Sequence, residues 1–265
     1  MKSLDIPKVV NFPFPSPPSK EGLKNAEKNL SNLGAIETKQ SGGVHLKKET
    51  DLSGKITKLG RIMAKFPAEP RYAKMLAHPN QENILPLIIA LVATFTVKDI
   101  WLNENDVSKE VLITKKSLIK KWISKFEPLG DIMVLLGVVG SCSNFAKNRK
   151  DQINENEADN NNNNSRHKLK LFCEKLGLRH KAMVEIFKQM RQIEKIYQTN
   201  INSEFQIKFP LQAITEPQAQ LITQTIVASF GEQISVKSPN LETNKLTGVS
   251  KSQNKRTCYQ TCNLE

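Results

Sequence analysis

Lys181, Lys188 and Lys195 lie seven residues apart, and Arg191 falls beside them. On a helix this spacing makes one row of cations, because seven residues are nearly two turns. Such a row can follow a phosphate backbone: each contact releases condensed counterions and needs no base identity. Arg179 and His180 stand at the start of the same expected helix, where the dipole also favours an anion. Met183, Ile186, Met190, Ile193 and Tyr197 repeat at three and four residues and make the stripe that must face a core. The competing reading of the row is a solvated lysine face softened by Glu185 and Glu194. A second basic run, 109–126, holds six lysines (109, 115, 116, 120, 121, 125) and one acid, Glu110, with Trp122 and Phe126 close by. Basic residues interleaved with aromatics can neutralise and stack single-stranded RNA; otherwise the aromatics are core and the lysines solvated.

Groups for covalent chemistry are not found. No G-x-x-x-x-G-K-[ST] phosphate loop occurs, and Gly54-Lys55 is followed by Ile56 without the upstream glycine. No Asp-Glu pair forms an acidic magnesium motif, and neither G-x-S-x-G nor H-E-x-x-H is present. The four histidines (45, 78, 167, 180) are scattered, and Cys258-x3-Cys262 has no second Cys or His pair nearby. No catalytic residue and no metal ligand is therefore expected. Lys+Arg number 39 against 26 acids in 265 residues, a net charge of +13 and a pI near 9.5. Such an excess favours a polyanionic partner without choosing among RNA, DNA and an acidic membrane surface. The longest uncharged apolar run, 84–97, has fourteen residues, short of the about twenty that span a membrane. It reads as a buried helix. No signal peptide is visible, and Cys142 and Cys173 sit in apolar helical patterns, so a reducing, intracellular setting is expected.

The elements that must position these residues are mainly α. Residues 1–18 are proline-rich and extended. Ser19 caps a helix carrying Leu23, Ala26, Leu30 and Leu33 on one face, which Gly34 ends. Val44-x-Leu46 and Lys55-Ile56-Thr57 are expected to pair as a small β wing. Thr57 then caps a short helix with Leu59, Ile62, Met63 and Phe66 on its apolar face. Pro67 stops it, and Pro70 suits the first turn of the next helix. Helix, wing and helix make a winged-helix domain. Beyond Pro70, helices are expected at 70–77, 81–97, 116–124, 129–146, 168–175, 180–198 and 216–231, with Pro86 kinking or delaying the second. One-sided apolarity implies that they bundle. The segment 147–167, with its run Asn160–Asn164, reads as a disordered insertion, and the polar tail from about Ser235 lacks a core pattern.

The pattern T-x-L-G-R-x-M-A-x-F-P-x-x-P-R-x-x-K-M-L at 57–76 resembles the junction between the winged-helix and ratchet domains of DEAH-box RNA helicases. Asn11-Phe12-Pro13-Phe14-Pro15-Ser16-Pro17-Pro18 is similar to the family's entry into its winged helix. Leu129–Gly137 and Phe172–Met183 resemble its ratchet domain, and the wording is closest to the nucleolar branch acting in small-ribosomal-subunit assembly. The resemblance covers roughly residues 1–233. It implies a winged-helix domain over 1–68, a helical ratchet (helicase-associated) domain over 69–233 and a disordered basic tail over 234–265. ATP and Mg would be bound by two RecA-like motor domains upstream of the matching region, which this sequence does not contain. The chain alone is thus not expected to hydrolyse ATP. In the intact enzyme the resemblance implies 3′-to-5′ translocation on single-stranded RNA, with the ratchet lining the RNA tunnel. Arg179, Lys181, Lys188, Arg191 and Lys195 become the RNA-binding candidates. The branch carries an aromatic where His180 stands, which weakens any role for position 180. Arg61 and Arg71 flank the proline joint, where each would bind RNA, pair with an acid such as Glu69, or lock the winged helix to the ratchet. The implied partners are single-stranded RNA or pre-rRNA, the motor domains of the same helicase and ribosome-assembly proteins, in the nucleus and nucleolus, with no membrane. The alternative is a stand-alone basic adaptor for RNA or ribosome-assembly proteins that has no motor. A winged-helix DNA binder would need exposed base-reading side chains, and Leu59–Phe66 is too apolar for that.

Overall fold

A computed structural model describes residues 1–6, 9–37, 54–78, 83–125, 130–146, 158–237 and 259–261. Helix α1 (Lys20–Asn32) starts where Ser19 Oγ accepts the Gly22 N–H at 3.0 Å. It packs shallowly, with Leu33 the deepest of its four apolar positions. The strand after it, β1 (Ile36–Glu37), pairs antiparallel with β2 (Lys55–Ile56), Ile36 opposite Ile56. Ile36 and Ile56, both β-branched, meet across that ladder; Val44-x-Leu46, the partner expected for 55–57, lies outside the described residues.

Thr57 caps α2 (Lys58–Met63) by accepting the Gly60 N–H at 3.0 Å, while its own hydroxyl donates to the Gly34 carbonyl at 2.8 Å. A Cβ at Gly60 would run into the Ala35 carbonyl, so only glycine lets α2 lie this close to the chain leaving α1. Helix α2 ends at Met63, ahead of Pro67, and Phe66 is buried in the turn that follows. Pro70 opens α3 (Pro70–Ala77) in its first turn. Pro86 does the same for α4 (Leu85–Thr96): the proline delays the helix and does not kink it.

Helix α4 is the centre of the fold. Every residue from Leu87 to Thr94 is buried, and the helix packs on α3, α6 (Gly130–Cys142) and α8 (His180–Asn200). No helix among the described residues is long and apolar enough to cross a membrane. Helix α5 (Lys109–Lys125) starts earlier than its apolar pattern suggested, because Ser108 Oγ accepts the Val111 N–H at 3.4 Å. It lies on α6 and α7 (Ala158–Leu176). The expected disordered insertion at 147–167 differs too. Helix begins at Ala158, so Asn160–Asn164 is helical, carried by propagation from the packed end at Leu169, Cys173 and Leu176; residues 147–157 lie outside the described residues. Cys142 and Cys173 are both fully buried thiols.

A strap without helix or strand, 201–214, which turns at 203–204, runs back from the end of α8 to α9 (Glu216–Phe230). Thr215 and Gln218 form a capping box at the start of α9. The tail expected to be disordered over 234–265 contains a short ladder: β3 (Ser235–Lys237) pairs antiparallel with β4 (Tyr259–Thr261), Val236 opposite Gln260. Val236 and Tyr259 are strand formers, which the overall polarity of the tail conceals.

Candidate nucleic-acid interface and domain junction

Helix α8 separates its two stripes cleanly. Met183, Ile186 and Met190 are fully buried and Ile193 nearly so, while Lys181, Lys188 and Lys195 are exposed. The 3.6-residue period alone produces this, since residues seven apart return to within a few tens of degrees. Exposed Val184 stands within the lysine face. Lys188 Nζ approaches Glu185 at 4.0 Å, a solvent-screened pair one turn away.

The second acid expected to soften the row is elsewhere. Glu194 is 5% exposed, and its Oε1 accepts the backbone N–H of Ile207 on the strap at 2.6 Å. It follows Met190 by four residues and Phe187 by seven, so its place on the buried side was readable from the period. A buried carboxylate needs such a partner; here it staples the strap to α8, helped by Phe209 packed edge-on against Phe187 at 5.9 Å. Arg191 belongs to this margin. It is half-buried; desolvation pulls its guanidinium below the ordinary arginine range and the Glu194 carboxylate opposes the shift. Arg191 therefore sits beside the row and not in it.

Arg179 is the N-cap of α8. Its backbone N–H donates to the Ile100 carbonyl at 2.9 Å, and its Nη1 donates to the Asp99 carbonyl at 3.3 Å. The side chain is exposed but already engaged in holding the loop before Trp101. His180 Nε2 is buried with no hydrogen-bond partner among the described residues. In α5 the sequence promised more than the fold presents. Lys115 lies 4.7 Å from the Trp101 ring centroid and 3.8 Å from Glu104, and its side chain is largely buried. Trp122 lies against α6 at Gly137, which removes it from a free stacking surface. Lys109, Lys116, Lys120 and Lys121 remain exposed.

At the proline joint the two arginines part company. Arg61 Nη2 pairs with Asp5 at 3.3 Å, a contact that stays on the N-terminal side of the joint and does not reach the helices beyond it. Arg71 Nη2 pairs with Glu232 at 3.3 Å, not with Glu69, and its guanidinium carbon lies 5.7 Å from the Phe230 ring centroid. The other carboxylate oxygen of Glu232 accepts from Asn32 Nδ2 at the end of α1. One carboxylate thus joins α1, α3 and the turn after α9. Tyr72, the next residue, is held between Phe95 and Phe230 at 5.7 and 5.8 Å. Lys65 makes the remaining bridge, donating from Nζ to the Asn200 carbonyl at the C-terminal end of α8 at 3.3 Å, where the helix dipole favours a cation. Glu232, Asn32 and Lys65 were not singled out from the sequence, because nothing local marks residues whose partners are so distant along the chain.

Comparison with known proteins agrees with this geometry. The winged-helix part of the helicase-associated domain (HA2) matches residues 26–68, and its ratchet-like part matches residues 69–175. Probable ATP-dependent RNA helicase DHX37 of Homo sapiens is 36% identical over 251 residues, covering 88% of this chain and 20% of the human protein. Probable ATP-dependent RNA helicase kurz of Drosophila melanogaster is 32% identical, covering 90% of this chain and 19% of its own length. Probable ATP-dependent RNA helicase DHR1 of Saccharomyces cerevisiae is 26% identical, with 89% and 19% covered. The chain spans about a fifth of the length of these relatives. A proline-jointed pair of helices, a small β pair ahead of it and a helical bundle behind it, matched in register to both parts of the HA2 domain, place this chain in the winged-helix and ratchet region of the DEAH-box RNA helicase family.

Proposed function

We propose that this chain is the RNA-gripping and coupling region of a DEAH-box ATP-dependent RNA helicase acting in ribosome biogenesis, on pre-rRNA of the small subunit, in the nucleolus. The winged helix takes in residues 1–68 and the ratchet 69–233. The observation that carries the reading is the face of α8: Lys181, Lys188 and Lys195 are exposed in one row, and of the two acids expected to neutralise it Glu194 is turned into the strap, leaving Glu185 4.0 Å from Lys188. Such a row holds successive phosphates of a single strand while leaving its bases unread. Lys65 and the Arg71–Glu232–Asn32 cluster connect the end of that helix, and the helices beside it, to the winged helix. Movement of a motor domain against the winged helix would reach the RNA-holding face through these contacts. Arg71 has the junction role; Arg61 secures the N-terminal residues. No G-x-x-x-x-G-K-[ST] phosphate loop occurs in this sequence, so ATP and Mg would be held by the motor domains of the intact helicase.

The test is binding of a fluorescent oligouridylate to the chain across a salt series. Replacing Lys181, Lys188 and Lys195 together by alanine should weaken binding at low salt and reduce the slope of log K against log [salt] by about 2, given about 0.7 per single-strand phosphate contact. Unchanged affinity and slope would sink the reading. Turnover of ATP by the purified chain would also overturn it.

A further inference from the structure

Away from the lysine row, a cleft of about 260 Å³ opens between α5, α6 and the strap. Trp122 forms one wall, the α6 ridge with Gly137 and Gly140 the floor, and strap residues 211–214 the other wall; none of the lining residues carries a charge. Its origin is local. Gly137 lets the indole lie directly on the helix, and a side chain there would collide with the ring. Gly140, nearly one turn further on, has nothing within 4 Å of where its Cβ would project. The helix surface is therefore bare backbone at that point, and the hollow remains.

The strap beside it is an open edge. Leu211 N–H donates to Ser143 Oγ at 2.8 Å, and Thr215 N–H to Gln218 Oε1 at 3.0 Å. Between those anchors the backbone groups of Gln212, Ala213 and Ile214 have no hydrogen-bond partner among the described residues, and Gln212 and Ala213 are exposed. Consecutive unpaired N–H and C=O groups outside any helix or sheet can be matched by another main chain, which offers acceptors and donors in alternation. A nucleobase has a single planar edge and would satisfy one such residue. The apolar hollow would take an alternate side chain of an added strand. Charge selects further. The helix that supplies Trp122 exposes Lys116, Lys120 and Lys121 outside the cleft lining and has no acid after Glu110, so its field favours a segment flanked by acids over a basic one.

We propose that this cleft binds an extended acidic peptide segment of a partner protein, which pairs its main chain with residues 212–214 and inserts one bulky apolar side chain between Trp122 and Gly140. The site is independent of the RNA-holding row.

The experiment uses the full chain and a fluorescein-labelled nonapeptide with a central Leu-Phe-Val flanked by Glu and Asp, read by anisotropy. Gly140→Leu fills the hollow and should weaken the peptide about tenfold or more, the loss of one buried apolar side chain, while oligouridylate binding and its salt slope stay unchanged. Gly140→Ala adds one methyl and improves helix propensity; it should give a smaller loss and keeps the test valid if leucine disturbs folding. N-methylating alternate peptide residues should abolish binding in one register and spare it in the other. The proposal is overturned if the peptide binds no better than a version with the central triplet changed to serine. It is equally overturned if both Gly140 variants bind as the parent does, or if oligouridylate displaces the peptide and loses affinity in Gly140→Leu by the same factor, which would assign the cleft to RNA.

Discussion

Helix α5 holds six lysines and α8 three lysines and an arginine, and the two helices distribute them differently. In α8 the lysines recur at seven and the apolar residues at three and four, so the two sets project to opposite sides and each finds its medium. In α5 the adjacent pairs 115–116 and 120–121 are split: Lys116 and Lys120 share one exposed row with Lys109, while Lys115 and Lys121 fall about 100° to either side of it. One of them, Lys115, is drawn under Trp101 and toward Glu104, and the aromatic that would have stacked a base is packed on Gly137. Phase along the helix, and not the number of charges, decides which lysines line up: three of six in α5 and three of three in α8.

That comparison is open to attack at several points. The strongest lies in the buried stripe. Ile186→Ala removes a fully buried side chain from the α4–α8 contact and should cost about 2–5 kcal/mol, seen as a lower denaturation midpoint; a cost under about 1 kcal/mol would mean that the inward face of α8 is not core. Glu194→Ala leaves the Ile207 N–H without its acceptor and should cost about 1–3 kcal/mol, with the Ile207 amide exchanging its hydrogen faster than in the parent. Comparing lysine-to-alanine triples on the two helices comes next: Lys181, Lys188 and Lys195 in α8 should lower oligouridylate affinity several-fold more than Lys116, Lys120 and Lys121 in α5. Equal losses would show that charge number is what matters. The smallest effect is expected at the joint. Arg71→Lys keeps the charge but loses the planar fork against Glu232 and the stacking on Phe230, and should cost no more than about 1 kcal/mol, read in the thermal midpoint.

Much of the fold can be read along the chain because its determinants are local. Ser19, Thr57 and Thr215 each cap a helix at the expected place, and Pro70 opens α3 where a missing N–H costs nothing. The pairing of Lys55-Ile56 with Ile36-Glu37 was not legible along the chain, because pairing is a contact between segments and strands of two residues give little signal of their partner. The asparagine run was misread for a related reason. Its composition suggests disorder, but it is joined without a break to a helix whose far end is anchored in the core. At the site, the row of Lys181, Lys188 and Lys195 was legible from spacing, as was the stripe opposite. The inward turn of Glu194 was written in the same period but easily passed over, since an acid among lysines is first read as their solvent-side neighbour.

The sequence by itself determined the helical phases, the caps, the proline joint and the register of cations in α8, because each depends on residues within a turn or two of one another. Only tertiary structure decided which residues of the basic helices are covered, which acid serves the joint and where the cleft opens. Glu232 meets Arg71 from 161 positions away and Asn32 from 200, and the strap reaches Ser143 across 68. Those choices follow from how apolar faces on α3, α4, α8 and α9 bury one another, and a polar partner is then taken from whatever that packing brings within hydrogen-bond reach.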